Sequence, residues 1–314
     1  MDPVLHLHHL RMKLRLTLIV SSVCIAIAAC GGGDTVLPRL ASTVSVDISP
    51  CTGTSPQKST PFDISVEGNS RLRLSRNGNV SFAPSGTFQL ETTTAVLACS
   101  KYPAFSGYMV NSLGERVTGY ALDSTGAFST SLSELNIFTA GDISPSSTRS
   151  VFASMSLVAN AAPLPLGLFS PDNAATYHFT TSVDVYDTLG ARHTVALFFV
   201  KTASLAWEVM ASAEGAVIHV GQLIFNSAGN LVTSASSEQL RITVPLTNGA
   251  NPLSVSFELA GSTANSSSFV VNAVTQDGYA FGSVNGFTIA EDGVVTSRYD
   301  NGQTRIVGKI PLTM

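Results

Sequence analysis

Charged residues are scarce in this sequence. Asp, Glu, Lys and Arg make up only 12% of its 314 residues, about half the roughly 25% that is usual for soluble domains. The formal net charge is −4, and no run of basic residues occurs anywhere in the chain. Binding a phosphate backbone requires clustered Lys and Arg, so nucleic acid is excluded as a partner.

Motifs of catalysis and metal binding are also missing. The chain has no G-x-S-x-G, H-E-x-x-H, C-x-x-C or D-x-D-x-D-G pattern. Asp187 and His193 flank one turn, but we expect Asp187 to serve that turn locally and His193 to open the next strand. His178 and His219 are isolated and are expected on strands. A glycosidase can carry two catalytic carboxylates that come together only in the fold, but nothing in this sequence indicates such a pair. The prediction is no enzyme, no cofactor and no metal.

One long apolar run occurs, and it lies at the N-terminus. Three basic residues precede an apolar stretch over 16–29, which has the length of a secretory signal rather than a membrane span. The run ends in Ile-Ala-Ala-Cys30 and is followed by Gly-Gly-Gly-Asp, as in a bacterial lipobox. We therefore predict a lipoprotein-type signal peptide over 1–29 and acylation of Cys30. The alternative is an ordinary signal peptide with an incidental cysteine.

Only four cysteines are present. If Cys24 leaves with the signal and Cys30 carries lipid, Cys51 and Cys99 remain in an oxidising compartment. They can form one disulfide, or they can be two unpaired thiols that lie too far apart to meet.

Turn signals are abundant. Seven tetrads end in glycine: SRNG (75–78), NSLG (111–114), DSTG (123–126), DTLG (187–190), NSAG (226–229), AEDG (290–293) and YDNG (299–302). Asn, Asp or Ser can bond the backbone two residues on, and Gly accepts the positive φ of a type I turn with a G1 bulge. Short segments between the tetrads are predicted to be strands, among them LRLS (72–75), VSF (80–82), RVTGYAL (116–122) and LSVSFEL (253–259). The sequence therefore predicts an all-β, mostly antiparallel protein.

Composition divides the chain into segments. Residues 30–60 are rich in Gly, Ser, Thr and Pro, with a β-like patch, TVSVDI, at 43–48. Most of this segment is predicted to be a flexible tether. Around 138–172, Ser, Pro and Ala mark a connection between domains. The prediction is a discontinuous β domain over 61–145 and 272–314, with an inserted β-barrel or sandwich domain over 146–271. Within the insert, HTVALFFVK is apolar on both faces and is predicted to be a central, doubly covered strand.

Several runs resemble the bacterial flagellar hook protein family. They are LRLSRNGNVSF (72–82), GTFQL (86–90), VNSLGERVTGY (110–120), TTSVDVYDTLGARHTVALFFVKT (180–202), WEV (207–209), FNSAGNL (225–231) and QDGYAFGSVNGFTIAEDGVVTSRYDNGQTRIVGKIPL (276–312). The resemblance implies a β domain interrupted by an inserted β-barrel domain. It also implies a structural subunit without cofactor or catalytic residue, located in the flagellum with hook or basal-body proteins as partners.

The sequence departs from the family pattern in three places. Ser70-Arg71-Leu72 stands where the family has Gly-Phe-Phe, and residues 91–109 replace a shorter family turn. That replacement brings in Tyr102, Phe105 and Tyr108, which are a candidate partner contact because exposed aromatics contribute strongly to interfaces. The alternative is that these rings fill a local core. The family's paired terminal helices have no counterpart at either end, so self-assembly is expected to be weak.

These observations lead to one main functional expectation and two rivals. The expectation is a non-catalytic structural protein that resembles the hook subunit and is anchored through Cys30 to the bacterial envelope, in the outer membrane or periplasm. The first rival is an envelope lipoprotein that uses a hook-like scaffold as a binding or adhesion module. The second rival is the remnant of a rearranged hook gene.

Overall fold

The computed structural model describes residues 37–48, 60–92, 105–123, 125–139, 141–232, 240–266 and 268–313. These residues contain β-strands and two short 3-10 helices, and no α-helix is found among them. The all-β prediction is confirmed. No helix in this part of the chain has the length and apolar composition needed to cross a membrane.

The strands of the first core come from both ends of the described chain. They are β1 (Val44–Asp47), β2 (Phe62–Ser65), β3 (Arg71–Arg76), β4 (Asn79–Ala83), β5 (Ser85–Thr92), β6 (Phe105–Asn111), β7 (Arg116–Ala121) and β8 (Ser133–Glu134), and later β18 (Val284–Ile289), β19 (Val294–Tyr299), β20 (Thr304–Lys309) and β21 (Leu312–Thr313). The strands between them are β9 (Ser150–Val158), β10 (Phe179–Tyr186), β11 (Arg192–Ala203), β12 (Ala206–Ala213), β13 (Ala216–Ile224), β14 (Leu240–Val244), β15 (Leu253–Glu258), β16 (Thr263–Ser266) and β17 (Val270–Gln276). The 3-10 helices span Leu166–Leu168 and Ala174–Thr176.

The first core lies inside one twelve-stranded sheet. Its main path runs β1-β18-β19-β20-β7-β6-β5-β2, and β3, β4, β8 and β21 branch from it. A bridge between Leu40 and Val66 brings the two ends of this path together, so the sheet nearly closes on itself. The enclosed side chains are apolar and include Ile64, Phe88 and Phe287, which are at most 1% exposed. Near closure leaves few free edges and gives these strands a common interior.

The β-like patch that the sequence shows at 43–48 forms a strand. Strand β1 pairs with β18 over four residues, and Leu40, Val46 and Ile48 are buried in the first core. This part of the segment predicted to be mostly tether is therefore packed into the fold. The other described part of the predicted tether, Thr60, precedes β2, and the rest of the tether lies outside the described residues.

The second core is enclosed by two further sheets. One has four strands in the order β10-β11-β12-β13, and the other has five, with β9 bonded to β15, β16 and β17. Both sheets contribute to a single hydrophobic cluster that includes Met155, Phe199, Trp207 and Phe257. The arrangement is that of a β-sandwich, in which inward side chains of two sheets interdigitate.

Strand β9 corrects one sequence expectation. Residues 138–172 were predicted to be a connection, but within them Val151, Ala153, Met155 and Leu157 are buried with a period of two. The described strands are mostly antiparallel, as predicted, but β9 pairs in parallel with β15 and β16. The Ser-rich composition masked the alternation, and parallel pairing depends on chain crossings that local patterns do not encode.

The predicted domain boundary at 271/272 falls inside β17. The strand pairs with β9 along its length, from Val270 opposite Ser156 to Gln276 opposite Val151, with a register shift between Val271 and Ala273. Strand β17 therefore belongs to the second core, and the chain returns to the first core only after Gln276.

Strand β11 is central and covered on both faces, as predicted. Val195, Leu197 and Phe199 face the second core. On the opposite face Phe198 is 5% exposed, and the rings of Phe169 and Tyr177 lie 5.4 and 4.9 Å from its ring centroid. The segment before β10 therefore acts as a cover over the outside of the sheet.

The glycine tetrads form hairpin turns. In six of them the glycine has φ between +72° and +84°. Its N–H bonds the carbonyl of the first residue, and the N–H of the first residue bonds the carbonyl of the fifth. This is the predicted type I turn with a G1 bulge. In NSLG, for example, Asn111 Oδ1 also accepts from the N–H groups of Leu113 and Glu115 at 3.0 and 2.9 Å.

The tetrad SRNG is an exception. Both Asn77 (φ 52°) and Gly78 (φ 84°) adopt the left-handed conformation, and Arg76 pairs directly with Asn79. The turn is thus a two-residue type I′ turn rather than a G1 bulge. Asn followed by Gly is the pair that favours this geometry, because Asn tolerates positive φ better than other side chains.

The chain crosses between the two cores twice, at residues 143–149 and 276–282, which we call the neck. Backbone hydrogen bonds join Ile143 with Gly282 at 2.8 and 3.0 Å, and Ser146 with Tyr279 at 2.9 Å in both directions. The carboxylate of Asp277 accepts from the N–H groups of Arg149 and Ser150 at 2.8 and 3.0 Å. The neck is therefore a short antiparallel ribbon whose polar groups are largely paired.

Candidate functional site

The structure brings Asp187 and His193 together. Asp187 heads the DTLG turn, and its Oδ1 accepts from the N–H groups of Leu189 and Ala191 at 2.8 and 2.9 Å. Its local role in the turn is thus confirmed. Its second oxygen, Oδ2, lies 3.0 Å from His193 Nε2.

Two further residues complete a polar cluster around this pair. The other ring nitrogen of His193, Nδ1, lies 2.8 Å from Glu214 Oε1, and Asn248 Nδ2 donates to Asp187 Oδ2 at 2.6 Å. Glu214 and Gly215 form the turn between β12 and β13, and Glu214 has φ 50°, which is rare for a residue other than Gly or Asn. The cluster therefore connects two hairpin turns and a loop of the five-stranded sheet.

Burial and charge act in opposite directions in this cluster. Burial by itself raises the pKa of the Asp187 carboxyl, but hydrogen bonds from His193, Asn248 and two backbone N–H groups outweigh it and lower the pKa to about 2. Burial likewise lowers the pKa of the His193 imidazole, whereas hydrogen bonds to Asp187 and Glu214 and their charges raise it, and the net shift is upward. The charged forms of both groups are stabilised.

This geometry is unsuited to nucleophilic catalysis. A general base needs a ring nitrogen free to take a proton from a nucleophile, but both nitrogens of His193 face carboxylates. Protonated His193 acts here as a bridge between two negative groups. Its role in the described structure is to hold turns together.

The DTLG turn also rests on the neck. Gly190 has φ 83°, and a Cβ built at this position would lie 2.8 Å from Cβ of Pro145. Within the neck, the buried Thr148 hydroxyl accepts from the Tyr186 N–H at 2.9 Å and donates to Gln276 Oε1 at 2.9 Å. The His193 cluster therefore stabilises the part of the second core that contacts the neck.

The remaining histidines of the described chain have structural partners. His219 lies on β13, as predicted, and its Nε2 is 2.7 Å from Glu208 Oε2. The strand prediction is wrong for His178, which immediately precedes β10. Its Nδ1 accepts from the Lys201 N–H at 3.1 Å, and its Nε2 donates to Ala162 O at 2.8 Å. These two bonds attach the cover segment to the end of β11, and this role does not require a place in the sheet.

No group of three or more His, Cys, Asp or Glu side chains in the described ranges is arranged to hold a metal ion. A cleft of about 210 Å³ lies beside the neck. Its lining is mostly hydroxyl and amide groups, with Arg149 as the charged residue: Ser147, Thr148, Arg149, Thr188, Asn251, Pro252, Leu253 and Ser254. The cleft lacks the paired acid and base that a reaction site requires.

The residues predicted for lipidation, for a disulfide and for partner contact are only partly described. Cys30, Cys51, Cys99 and Tyr102 lie outside the described residues, and for Phe105 only its backbone in β6 is described. Tyr108 is half-buried, and the guanidinium carbon of Arg116 lies 4.2 Å from the centre of its ring.

Arg116 is itself held by two carboxylates, Glu91 at 2.8 Å and Glu134 at 2.6 Å. The hydrogen bonds to these carboxylates are the main reason why the pKa of Arg116 is raised. Tyr108 is thus covered on one face by an ion-paired arginine, which a partner would have to displace in order to stack on that face.

Sequence reasoning did not predict that one apolar strand lies exposed at the edge of a sheet. It recognised β4 as a strand, but it did not find that β4 lies at an edge with Val80 44% and Phe82 56% exposed. The available signal was the alternation of Asn79, Val80, Ser81 and Phe82 in a strand that follows a two-residue turn. That alternation indicates a two-faced strand but not which face is buried.

The fold and these sites are those of an all-β structural scaffold with two hydrophobic cores. Its described polar clusters hold turns and the neck in place. Comparison with known proteins relates the chain to one family. The sequence model described as "Flagellar basal body protein FlaE D2 domain" matches residues 154–279, which contain most of the second core.

Curated relatives extend the similarity over most of the chain. The chain is 30% identical over 274 residues to the flagellar hook protein FlgE of Escherichia coli (strain K12), and 26% identical over 270 residues to that of Salmonella typhimurium. Each match covers 83% of this chain and 63% of the relative. This chain thus spans somewhat less than two thirds of the length of these relatives.

A solved structure is similar as well. The crystal structure of Helicobacter pylori flagellar hook protein FlgE2 matches with a TM-score of 0.45 and 12% identity, over 88% of each chain. These sequence relationships support placing the chain with the flagellar hook proteins.

Proposed function

We propose that this chain is a non-catalytic structural protein of the flagellar hook type that associates with hook or basal-body components. The observation that carries the proposal is the similarity to hook proteins, which extends over 83% of the chain. The described polar clusters support it, because their side chains satisfy turns, neck and sheet ends.

The proposed domain organisation follows the two cores. One domain comprises the strands before residue 143 together with those after residue 282, and the inserted domain comprises β9 to β17 between the two neck segments. Two separate hydrophobic clusters support this division. It differs from the boundary at 271/272 because β17 is included in the insert.

Deletion of the gene tests the flagellar role. We expect cells without the protein to show altered hooks by electron microscopy and reduced swimming, and expression of the intact chain to restore both. Normal hooks and normal motility in the deletion strain would contradict the flagellar role.

Lipid anchoring through Cys30 is a separate part of the proposal, and the sequence Ile-Ala-Ala-Cys followed by three glycines supports it. The wild type should incorporate labelled palmitate and fractionate with envelope membranes. Cys30→Ala should lose the label and leave the membrane fraction, while a Cys24→Ala control should retain both. Equal labelling of wild type and Cys30→Ala would contradict acylation at this cysteine.

The disulfide between Cys51 and Cys99 stays a prediction. It is tested in the mature protein by alkylation with a mass-tagged maleimide before and after reduction. Both thiols should react only after reduction. Reaction without reductant would support the alternative of two free thiols.

A second candidate function is an envelope lipoprotein that uses the same scaffold as a binding or adhesion module. The lipobox-like sequence favours it, and Tyr102, Phe105 and Tyr108 remain its proposed contact residues. The two functions differ in one outcome of the deletion experiment. Acylated protein in a strain whose hooks are unaffected by deletion would support the binding module over the hook-type role.

A further inference from the structure

Strand β4 presents an open backbone edge. Among the described strands it pairs only with β3. In a hairpin with a two-residue turn, the pair next to the turn is hydrogen-bonded and bonded pairs then alternate with non-bonded ones. Asn79, Ser81 and Ala83 therefore direct their backbone groups to β3, and Val80 and Phe82 direct theirs away from the sheet.

The side chains of the same two residues are apolar and exposed. Val80 is 44% and Phe82 56% exposed, and because they are two positions apart they lie on one face of β4. Exposed apolar residues on an unpaired strand are unusual in stable proteins, since such edges readily add another strand. Main-chain and side-chain groups of β4 are thus both available for pairing.

The neighbouring strand β3 supplies positive charge. Arg71, Arg73 and Arg76 lie within its six residues, although the whole chain has only 17 Lys and Arg. Arg71 and Arg73 form no ion pair with a carboxylate of the described residues. Arg76 instead interacts with the charge of Glu115, whose Oε1 accepts from the Ser81 hydroxyl on β4 at 2.8 Å. Arg73 stands directly opposite Phe82 in the register, so unpaired positive charge flanks the apolar edge.

The positive charge of the β3 arginines indicates which kind of strand can pair with the open edge of β4. If β4 paired with β4 of a second copy, the added strand would bring no carboxylate to the arginines of β3, because β4 reads NVSFA. An acidic strand would instead place carboxylates within reach of the guanidinium groups. We propose that the open edge of β4 binds an extended, acidic segment of another protein as an added strand, with apolar residues against Val80 and Phe82. This proposal is independent of the flagellar role.

A peptide-binding experiment tests the proposal on the full chain. The probe is a short fluorescein-labelled peptide that alternates valine with glutamate, and its control carries lysine in place of glutamate. Fluorescence anisotropy should show saturable binding of the glutamate peptide that weakens with salt, and no binding of the lysine peptide.

Two variants locate the binding site. Val80→Pro removes an N–H that points away from β3, so the hairpin should keep its fold while affinity falls by about tenfold or more. A circular dichroism spectrum and unfolding midpoint like those of the wild type verify folding. Arg73→Glu should reverse the charge preference, so that the lysine peptide binds better than the glutamate peptide.

Several results would overturn the proposal. They are equal affinity of wild type and Val80→Pro, an unchanged charge preference in Arg73→Glu, or no binding of the glutamate peptide to the wild type. In the last case the arginines would serve to prevent pairing at this edge.

Discussion

The ring of His193 lies between two carboxylates, and this position makes the second core sensitive to pH. Because the pKa of His193 is raised on folding, its contribution to stability is fully present below the unfolded pKa of about 6.5 and is lost as the pH rises through the folded value. Asp187 acts in the opposite sense. Its pKa of about 2 means that its contribution is present above the unfolded value of about 3.9 and is lost as the pH falls toward 2.

The first prediction concerns His193→Gln. At a pH of about 5.5 the variant should lose about 2 kcal/mol of unfolding free energy, because a charged hydrogen-bond donor to Asp187 and Glu214 is removed. At a pH of about 9 the difference should shrink, since the wild-type ring is then less protonated. Urea denaturation at the two pH values measures both. His219→Gln is the control: its ring is 53% exposed beside Glu208, so its effect should be small. A pH-independent loss for His193→Gln would contradict the charged bridge.

The second prediction compares two glycines in the same type of turn. Gly126 has φ 81° with open space around it, whereas Gly190 has φ 83° and faces Pro145. Gly126→Ala should cost about 1–2 kcal/mol from the left-handed backbone alone. Gly190→Ala should cost about 1–3 kcal/mol more, because its Cβ overlaps the neck. Chemical denaturation measures the difference, and equal losses would show that the turn does not rest on Pro145.

At the level of residues, sequence reasoning succeeded where chemistry is local. Asp187 was expected to serve its own turn, and it does. The contacts of His193 with Glu214 and of Asp187 with Asn248 were not predicted, because they join residues 21 and 61 positions apart. Contacts of that kind depend on how two sheets pack, which no local pattern specifies.

At the level of elements, β11 shows why a strand with two apolar faces needs two covers. Its inner face meets the five-stranded sheet through the second core, and its outer face meets the segment that precedes β10. The cover is attached by the bonds of His178 and by the bond from Leu164 N–H to Lys201 O at 2.8 Å. Removing side-chain packing from the outer face of β11 should therefore destabilise the sheet, as removing packing from its inner face does.

The third prediction tests this cover. Phe198→Ala should reduce the unfolding free energy by about 3–5 kcal/mol, the usual cost of deleting a buried aromatic side chain. Phe82→Ala removes the same atoms from an exposed position on β4 and should change it by less than about 1 kcal/mol. Urea denaturation of the two variants measures both. A loss for Phe198→Ala as small as that for Phe82→Ala would mean that the outer face contributes little.

Strand prediction depended on whether alternation was accompanied by bulky apolar residues. β3, β7, β11 and β15 carry Leu, Val or Phe and were recognised. β9 was missed because Ser and Ala occupy four of its nine positions. β1 lies within the β-like patch at 43–48, but the linker-like composition around it led to a tether prediction for most of that segment. The parallel pairing of β9 with β15 could not be predicted, since the pairing direction follows from the path of the chain between distant strands.

At the level of the whole molecule, the two cores offer separate spectroscopic reporters. Trp207 is the chain's only tryptophan, and it is 1% exposed within the second core. Its fluorescence therefore reports the unfolding of the insert alone, whereas far-ultraviolet circular dichroism reports both cores.

The fourth prediction concerns the insert as an independent unit. A fragment of residues 142–283 should fold and should show blue-shifted tryptophan emission, because its hydrophobic cluster and the neck bonds are contained within it. Its urea midpoint by fluorescence should match that of the full chain. An unfolded fragment, with emission typical of tryptophan in water, would mean that the two cores form a single cooperative unit.

The neck has a consequence for how this molecule tolerates change. The chain leaves and re-enters the first core through two neighbouring segments that are hydrogen-bonded to each other. The two ends of the insert therefore lie side by side, like the two strands of a hairpin. Exchange of the entire insert for another module with closely spaced ends should leave the geometry of the host sheet unaltered. The same junction is therefore a natural place to graft a tag or a foreign domain for display.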